Sequence, residues 1–183
     1  VAEQIAAGIG EELVFITDAI RDNRFEFEIG SDETVGFCFP THGWQPPRIV
    51  REFIRRLKIN ANYVWALTTC GDNMGETMTI RNKELAAIGL KASTMFSVIM
   101  PESYVCLPFM YTDTEEKERA KIAEARKQLP HIIECIRARK TGVEELEKGG
   151  TPRLYSYVIG AYFNARMVIS RSEERRVGKE CRS

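Results

Sequence analysis

The chain has 183 residues, 44% of them hydrophobic and 28% charged, enough for one α/β domain with a core of its own. Its 26 basic and 26 acidic residues cancel to a formal net charge of +0, which argues against nucleic acid or an anionic membrane surface as main partner, since both require a basic excess. No apolar run reaches the ~18 residues of a membrane span, and no secretory signal is visible, so the protein is read as cytoplasmic.

In chain order, "VAEQIAAGIG" reads as the inside of a helix, with Val1, Ile5 and Ile9 on one stripe and Gly8 or Gly10 ending it. "EELVFIT", residues 11–17, is a short apolar run between breakers, hence a strand. Residues 18–33 are polar and irregular. "TVGFCF", residues 34–39, is apolar on both faces, the pattern of a strand covered by helices on two sides. Pro46 and Pro47 suit the first turn of a helix. The helix continues with Ile49, Val50, Phe53, Ile54 and Leu57 on one face and a basic set from Arg48 to Lys58 off it.

"NYVWALTT", residues 62–69, is another strand, ending in "CGDNMG". A helix over residues 72–88 is expected to close at Gly89. "KASTMFSVIMP" is a third buried-strand run. The longest helix starts near Asp113 or Thr114 and runs to about residue 140, with Pro130 expected to kink it and its charges from Asp113 to Lys127 read as a solvated face. Residues 1–140 thus form the domain. Residues 141–152 read as a linker, and residues 153–169 as a further helix. "SRSEERRVGKECRS", residues 170–183, has no periodicity and resembles translated adapter sequence, with a disordered charged tail as the alternative.

Strands alternating with helices imply an α/β fold with a doubly wound parallel sheet. Ligands bind such sheets at the carboxyl ends of the strands. Two loops there carry the unusual residues: Pro40, Thr41, His42, Gly43 and Trp44 after one strand, and Thr69, Cys70, Gly71, Asp72 and Asn73 after the next. Several chemistries fail on composition. The five cysteines and two histidines are scattered, with no C-x-x-C pair for zinc or an iron–sulfur cluster. The residue six after Cys70 is Glu76 rather than the arginine of a C-x5-R phosphatase loop. Neither G-x-x-x-x-G-K-[ST] nor G-x-G-x-x-G occurs. What remains is a pair of Gly-, Asn-, Asp- and Thr-bearing loops with one loop tryptophan. That set suits a planar heterocycle, because glycine permits close backbone approach and an indole can stack.

With "FPTHGWQPP" after one strand, "TTCGDNMG" after the next, "VIMPESYV" further on and "LYSYVIGAYFNARM" near the end, the chain resembles the flavodoxin-like domain of bacterial flavodoxin–ferredoxin fusion proteins over residues 1–169. The resemblance implies FMN as cofactor, with Pro40, Thr41, His42, Gly43 and Trp44 flanking one side of the isoalloxazine. Thr69, Cys70, Gly71, Asp72 and Asn73 would line its polar edge. Gly43 would supply a peptide that turns toward the flavin, and Tyr104 would lie near the mouth. It also implies electron transfer with a redox partner protein or an own ferredoxin domain carrying 4Fe-4S clusters, whose ligands this sequence lacks.

The family opens with a strand and a Ser/Thr-Gly phosphate loop that have no counterpart here. The resemblance therefore implies a fragment missing its first strand, with a helix leading to an absent ferredoxin domain, poor folding and weak FMN binding. Two other functions stay open: a flavin-dependent NAD(P)H reductase of a small molecule, and a flavin-free interaction module. Trp44 could equally cover the sheet end, Cys70 be a small strand-end residue, and Asp72 cap the following helix.

Overall fold

The computed structural model describes residues 1–102 and 112–166. Its centre is a four-stranded, all-parallel sheet in the order β2-β4-β5-β6, built from Val35–Pro40, Val64–Cys70, Thr94–Ile99 and Val143–Glu145. A second, two-stranded parallel pair joins β1 (Glu26–Phe27) to β3 (Lys58–Ile59). Helices cover both faces of the main sheet, so the fold is a doubly wound, flavodoxin-like α/β.

The burial explains why the strands read as unbroken apolar runs. One core joins α2 (Ile16–Arg21), α3 (Arg48–Arg56) and α4 (Thr77–Ala87) to the sheet through Val50, Phe53, Ile54, Met78 and Leu85 against Phe37, Phe39, Val64 and Ala66. The other core packs α1 (Ala2–Ile9) and α5 (Glu115–Arg137) on the opposite face, through Ile5, Leu129, Ile132 and Ile136 against Trp65, Leu67, Phe96 and Val98. Alternate residues of β4 and β5 thus enter different cores, and most positions are apolar. Gly10 and Gly89 close α1 and α4 in the left-handed conformation, at φ 78° and φ 79°. The amides of Gly89 and Leu90 return to the carbonyls of Ala86 and Leu85, which satisfies the helix end. Thr114 caps α5 by accepting from the Lys117 amide, and α5 runs unbroken through Pro130.

Two segments differ from the expectations. The run at 11–17 is not a strand: its second half opens α2, where Ile16, Ala19 and Ile20 follow helical spacing and pack on the core. An apolar run becomes a strand only with a ladder partner, and residues 11–15 pair with no described strand. The segment read as a linker contributes β6, which adds to β5 and extends the sheet. Residues 152–166 form the expected helix, in three parts: α6 (Pro152–Leu154), a π-helical turn (Tyr155–Ile159) and α7 (Gly160–Arg166). The basic set on and after α3 is exposed except for the half-buried Arg51, and several of its members are paired. Arg51 and Arg55 share Glu84 at 2.6 and 3.3 Å, and Arg56 lies over the Phe25 ring and donates to Asn23. No helix among the described residues is long and apolar enough to cross a membrane.

Candidate ligand cleft

Register brings the loops together. Pro40 lies opposite Thr69 and Cys70 opposite Ile99, so β2, β4 and β5 end on one edge. The Thr41 amide donates to the Thr69 carbonyl at 2.7 Å, and the Thr41 and Thr68 hydroxyls lie 3.0 Å apart. Thr68 donates to the Phe39 carbonyl, which leaves Thr41 as the donor of the hydroxyl pair. All ten residues singled out in the sequence line one cleft of about 410 Å³: Pro40, Thr41, His42, Gly43, Trp44, Thr69, Cys70, Gly71, Asp72 and Asn73. Met100, Pro101, Glu102 and Phe163 complete its wall. Tyr104 and Cys106 lie outside the described residues.

The first wall is a tight turn. His42 and Gln45 exchange both backbone hydrogen bonds, at 2.9 and 3.2 Å, around Gly43 at φ 54° and Trp44 at φ 55°. Two positive φ angles define a type I′ turn. Gly43 takes this conformation without penalty, but a bulky residue there costs about 1–2 kcal/mol. The indole offsets part of that cost by stacking on Tyr155, with centroids 5.1 Å apart and planes at 20°, a pairing worth about 0.5–1.5 kcal/mol. Trp44 therefore packs against the 152–166 helix from a strained position, which accounts for a tryptophan in a loop.

The second wall is braced from beneath. Lys121 donates to the Gly71 carbonyl at 2.7 Å and pairs with Asp113 at 2.5 Å, and Asp113 accepts the Glu102 amide at 2.9 Å. The two side chains are 21% and 10% exposed, so this part of the α5 charge pattern is buried structure rather than solvated face. Hydrogen bonding from Lys121, then from the Glu102 amide, holds the Asp113 carboxyl below its usual range. On the other side the Met74 amide donates to the Glu147 carbonyl at 2.8 Å, and the Glu147 amide to Ser97 Oγ at 2.6 Å. The stretch following β6 is thus the outer support of the 71–75 loop.

The 152–166 helix, expected to dock elsewhere or cap the sheet, closes one side of the cleft through Phe163. Its buried residues are Ser156, Gly160 and Phe163, whereas Tyr157, Val158 and Tyr162 face outward. The signal was present as small residues at i and i+4 followed by an aromatic at i+7, but the apolar residues of the outer face obscured it.

Cys70 is not a nucleophile here. Burial, reinforced by Glu147 and Asp72, pushes its thiol up to about 12, so it stays protonated at neutral pH and lacks the thiolate that reacts. Alkylation of Cys70 by iodoacetamide at pH 7.5 is expected to run at least tenfold slower than that of a free thiol, read by mass spectrometry. Modification at the free rate would show an open, activated cysteine. Among the described residues Cys38, Cys70 and Cys135 are free, and no group of three His, Cys, Asp or Glu could hold a metal ion.

Two observations bear on what the cleft could hold. Its volume is in the ~300–1,000 Å³ range of small-molecule sites, and Asn73, one of its lining residues, carries a buried Oδ1 without a hydrogen-bond partner. Nothing in the sequence supplies the glycine-rich grip for a phosphate. A second cavity of about 320 Å³, between α4 and β6, lies away from the strand ends and carries none of these loops. Compared with family models, curated proteins and solved structures, the chain matches none.

Proposed function

We propose that this chain is an FMN-binding, flavodoxin-like electron-transfer domain whose redox partner is a ferredoxin-type iron–sulfur protein or domain. One observation carries the reading. Two loops separated in sequence converge on a single cleft at the carboxyl edge of a parallel sheet, where such folds hold ligands. Bound FMN would supply reversible electron transfer through its isoalloxazine. The chain's residues would bind and orient that ring. Thr69, Asp72 and Asn73 would face its polar edge, and Phe163 would exclude water from one side. The stacked Trp44–Tyr155 pair supports the other reading, a flavin-free interaction module, because it already engages the indole with protein.

Titration of FMN with the purified protein separates the two. Saturable quenching of flavin fluorescence is expected with a Kd below about 1 mM, or roughly 4 kcal/mol of binding, and Asn73→Ala should weaken it about threefold to tenfold. No quenching up to that concentration would overturn the flavin reading and leave the interaction module.

A further inference from the structure

One hydroxyl ties the two walls of the cleft together. Ser156 is fully buried, accepts the Glu76 amide at 2.7 Å and donates to the Trp44 carbonyl at 2.8 Å. Its own carbonyl accepts from Gln45 Nε2 at 2.7 Å. Glu76 follows the 71–75 loop, and Trp44 and Gln45 belong to the type I′ turn. A single residue of the 152–166 helix thus bonds to both ligand loops, though they come from different strands. It sits in the π-helical turn, a local departure from α-helix often found at functional sites.

The surroundings are fitted to that hydroxyl. A Cβ on Gly75 would lie 2.5 Å from Ser156 Oγ and 3.1 Å from Trp44 Cβ. One turn further along the helix, a Cβ on Gly160 would fall on the Gly43 carbonyl oxygen and 2.9 Å from the Tyr155 carbonyl. These obstacles are backbone and cannot rotate away. Asn164 donates to the Gly160 carbonyl at 2.7 Å and reaches the Gly43 carbonyl at 3.5 Å. The helix therefore seats on the turn through one close approach, Gly160 on Gly43, and two short hydrogen bonds of Ser156, and on the other loop through a third.

We propose that Ser156 is a positioning residue of the cleft: it sets the separation of the two loops, so that ligand binding in the cleft and seating of the 152–166 helix are reciprocally linked. Ser156 does not line the cleft itself and acts through Trp44 and Glu76. By linkage, whatever unseats the helix weakens the ligand, and the ligand tightens the helix by the same factor. The part concerning FMN rests on the reading proposed above.

The test compares Ser156→Ala and Gly160→Ala with Ile132→Val, a control in the opposite core. Amide hydrogen exchange is read at Glu76, and FMN is the probe ligand. Ser156→Ala is expected to speed exchange of the Glu76 amide and weaken FMN binding by about tenfold each, the order set by two buried hydrogen bonds. Gly160→Ala should do the same by pressing on the Gly43 carbonyl, and the double variant should be no worse than the stronger single, because both break one link. Ile132→Val should lower global stability yet leave both readouts unchanged. Unchanged Glu76 protection in Ser156→Ala, or an equal loss in Ile132→Val, would overturn the proposal. Should the unmodified protein take up no FMN, the exchange data alone decide it, and the flavin reading fails separately.

Discussion

Replacing Arg81 by methionine is expected to stabilise the protein by about 1–4 kcal/mol, because a buried charge would give way to an apolar chain of similar length. Arg81 lies on α4 and is fully buried. Its Nε and Nη1 have no partner, and Nη2 reaches only the Met78 sulfur at 3.4 Å. Glu84 lies one turn on, but the oxygen that forms hydrogen bonds is taken by Arg51 and Arg55. Burial accordingly pulls the Arg81 guanidinium down to about 9.

That shift carries a sign. Above about pH 9, and up to the ordinary arginine range, the unfolded chain would hold a proton at this site that the folded chain releases. Unfolded protein then binds more protons, and the contribution of Arg81 to stability rises with pH. Below about pH 9 both states are charged and the full cost of burial persists. Cys38 and Cys70, both pushed up to about 12, act in the opposite sense, so the difference between wild type and variant isolates the arginine. Thermal unfolding should show a Tm higher by about 2–4 °C per kcal/mol gained, with the gap closing above pH 9. A Tm equal to or below wild type would mean that the guanidinium has a stabilising partner.

Gly36→Ala is expected to destabilise by about 1–3 kcal/mol or more, through overpacking. A Cβ at position 36 would coincide with Cζ2 and Cε2 of the Trp65 ring and come within 2.6 Å of Cη2. Trp65 is 5% exposed and wedged in the core beneath α1 and α5, so the large ring cannot swing aside as a surface lysine would. Adding Trp65→Leu should recover part of the loss by vacating that space. Chemical denaturation measures both, and a Gly36→Ala protein as stable as wild type would show that the ring moves freely.

The strands over residues 35–40, 64–70 and 94–99 were legible because burial on two faces makes most residues apolar and the runs end at Pro40, Gly71 and Pro101. Both ligand loops were legible for the same reason, since parallel strands put their carboxyl ends on one edge. Residues 11–17 misled because apolarity alone does not supply a neighbouring ladder. β6 was invisible for the converse reason. Val143, Glu144 and Glu145 form an edge strand with two exposed carboxylates, and its hydrogen bonds to β5 come from backbone that no residue pattern reports. Lys121 and Asp113 looked like any other charges of a polar helix. Only the three-dimensional placement of Gly71 against α5 shows that they support the cleft.

The bond from Ser156 to Trp44 spans 112 residues. Contacts of such separation are slow to form, because the entropy of closing the intervening chain is lost before they contribute. The sheet pairs its strands over much shorter separations, so the sheet can assemble while the turn at Gly43 still lacks its seat. During synthesis the cleft cannot be complete until residue 164 has left the ribosome, well after the strands that carry its loops. Completion of the cleft is therefore a late event that follows folding of the sheet rather than guiding it.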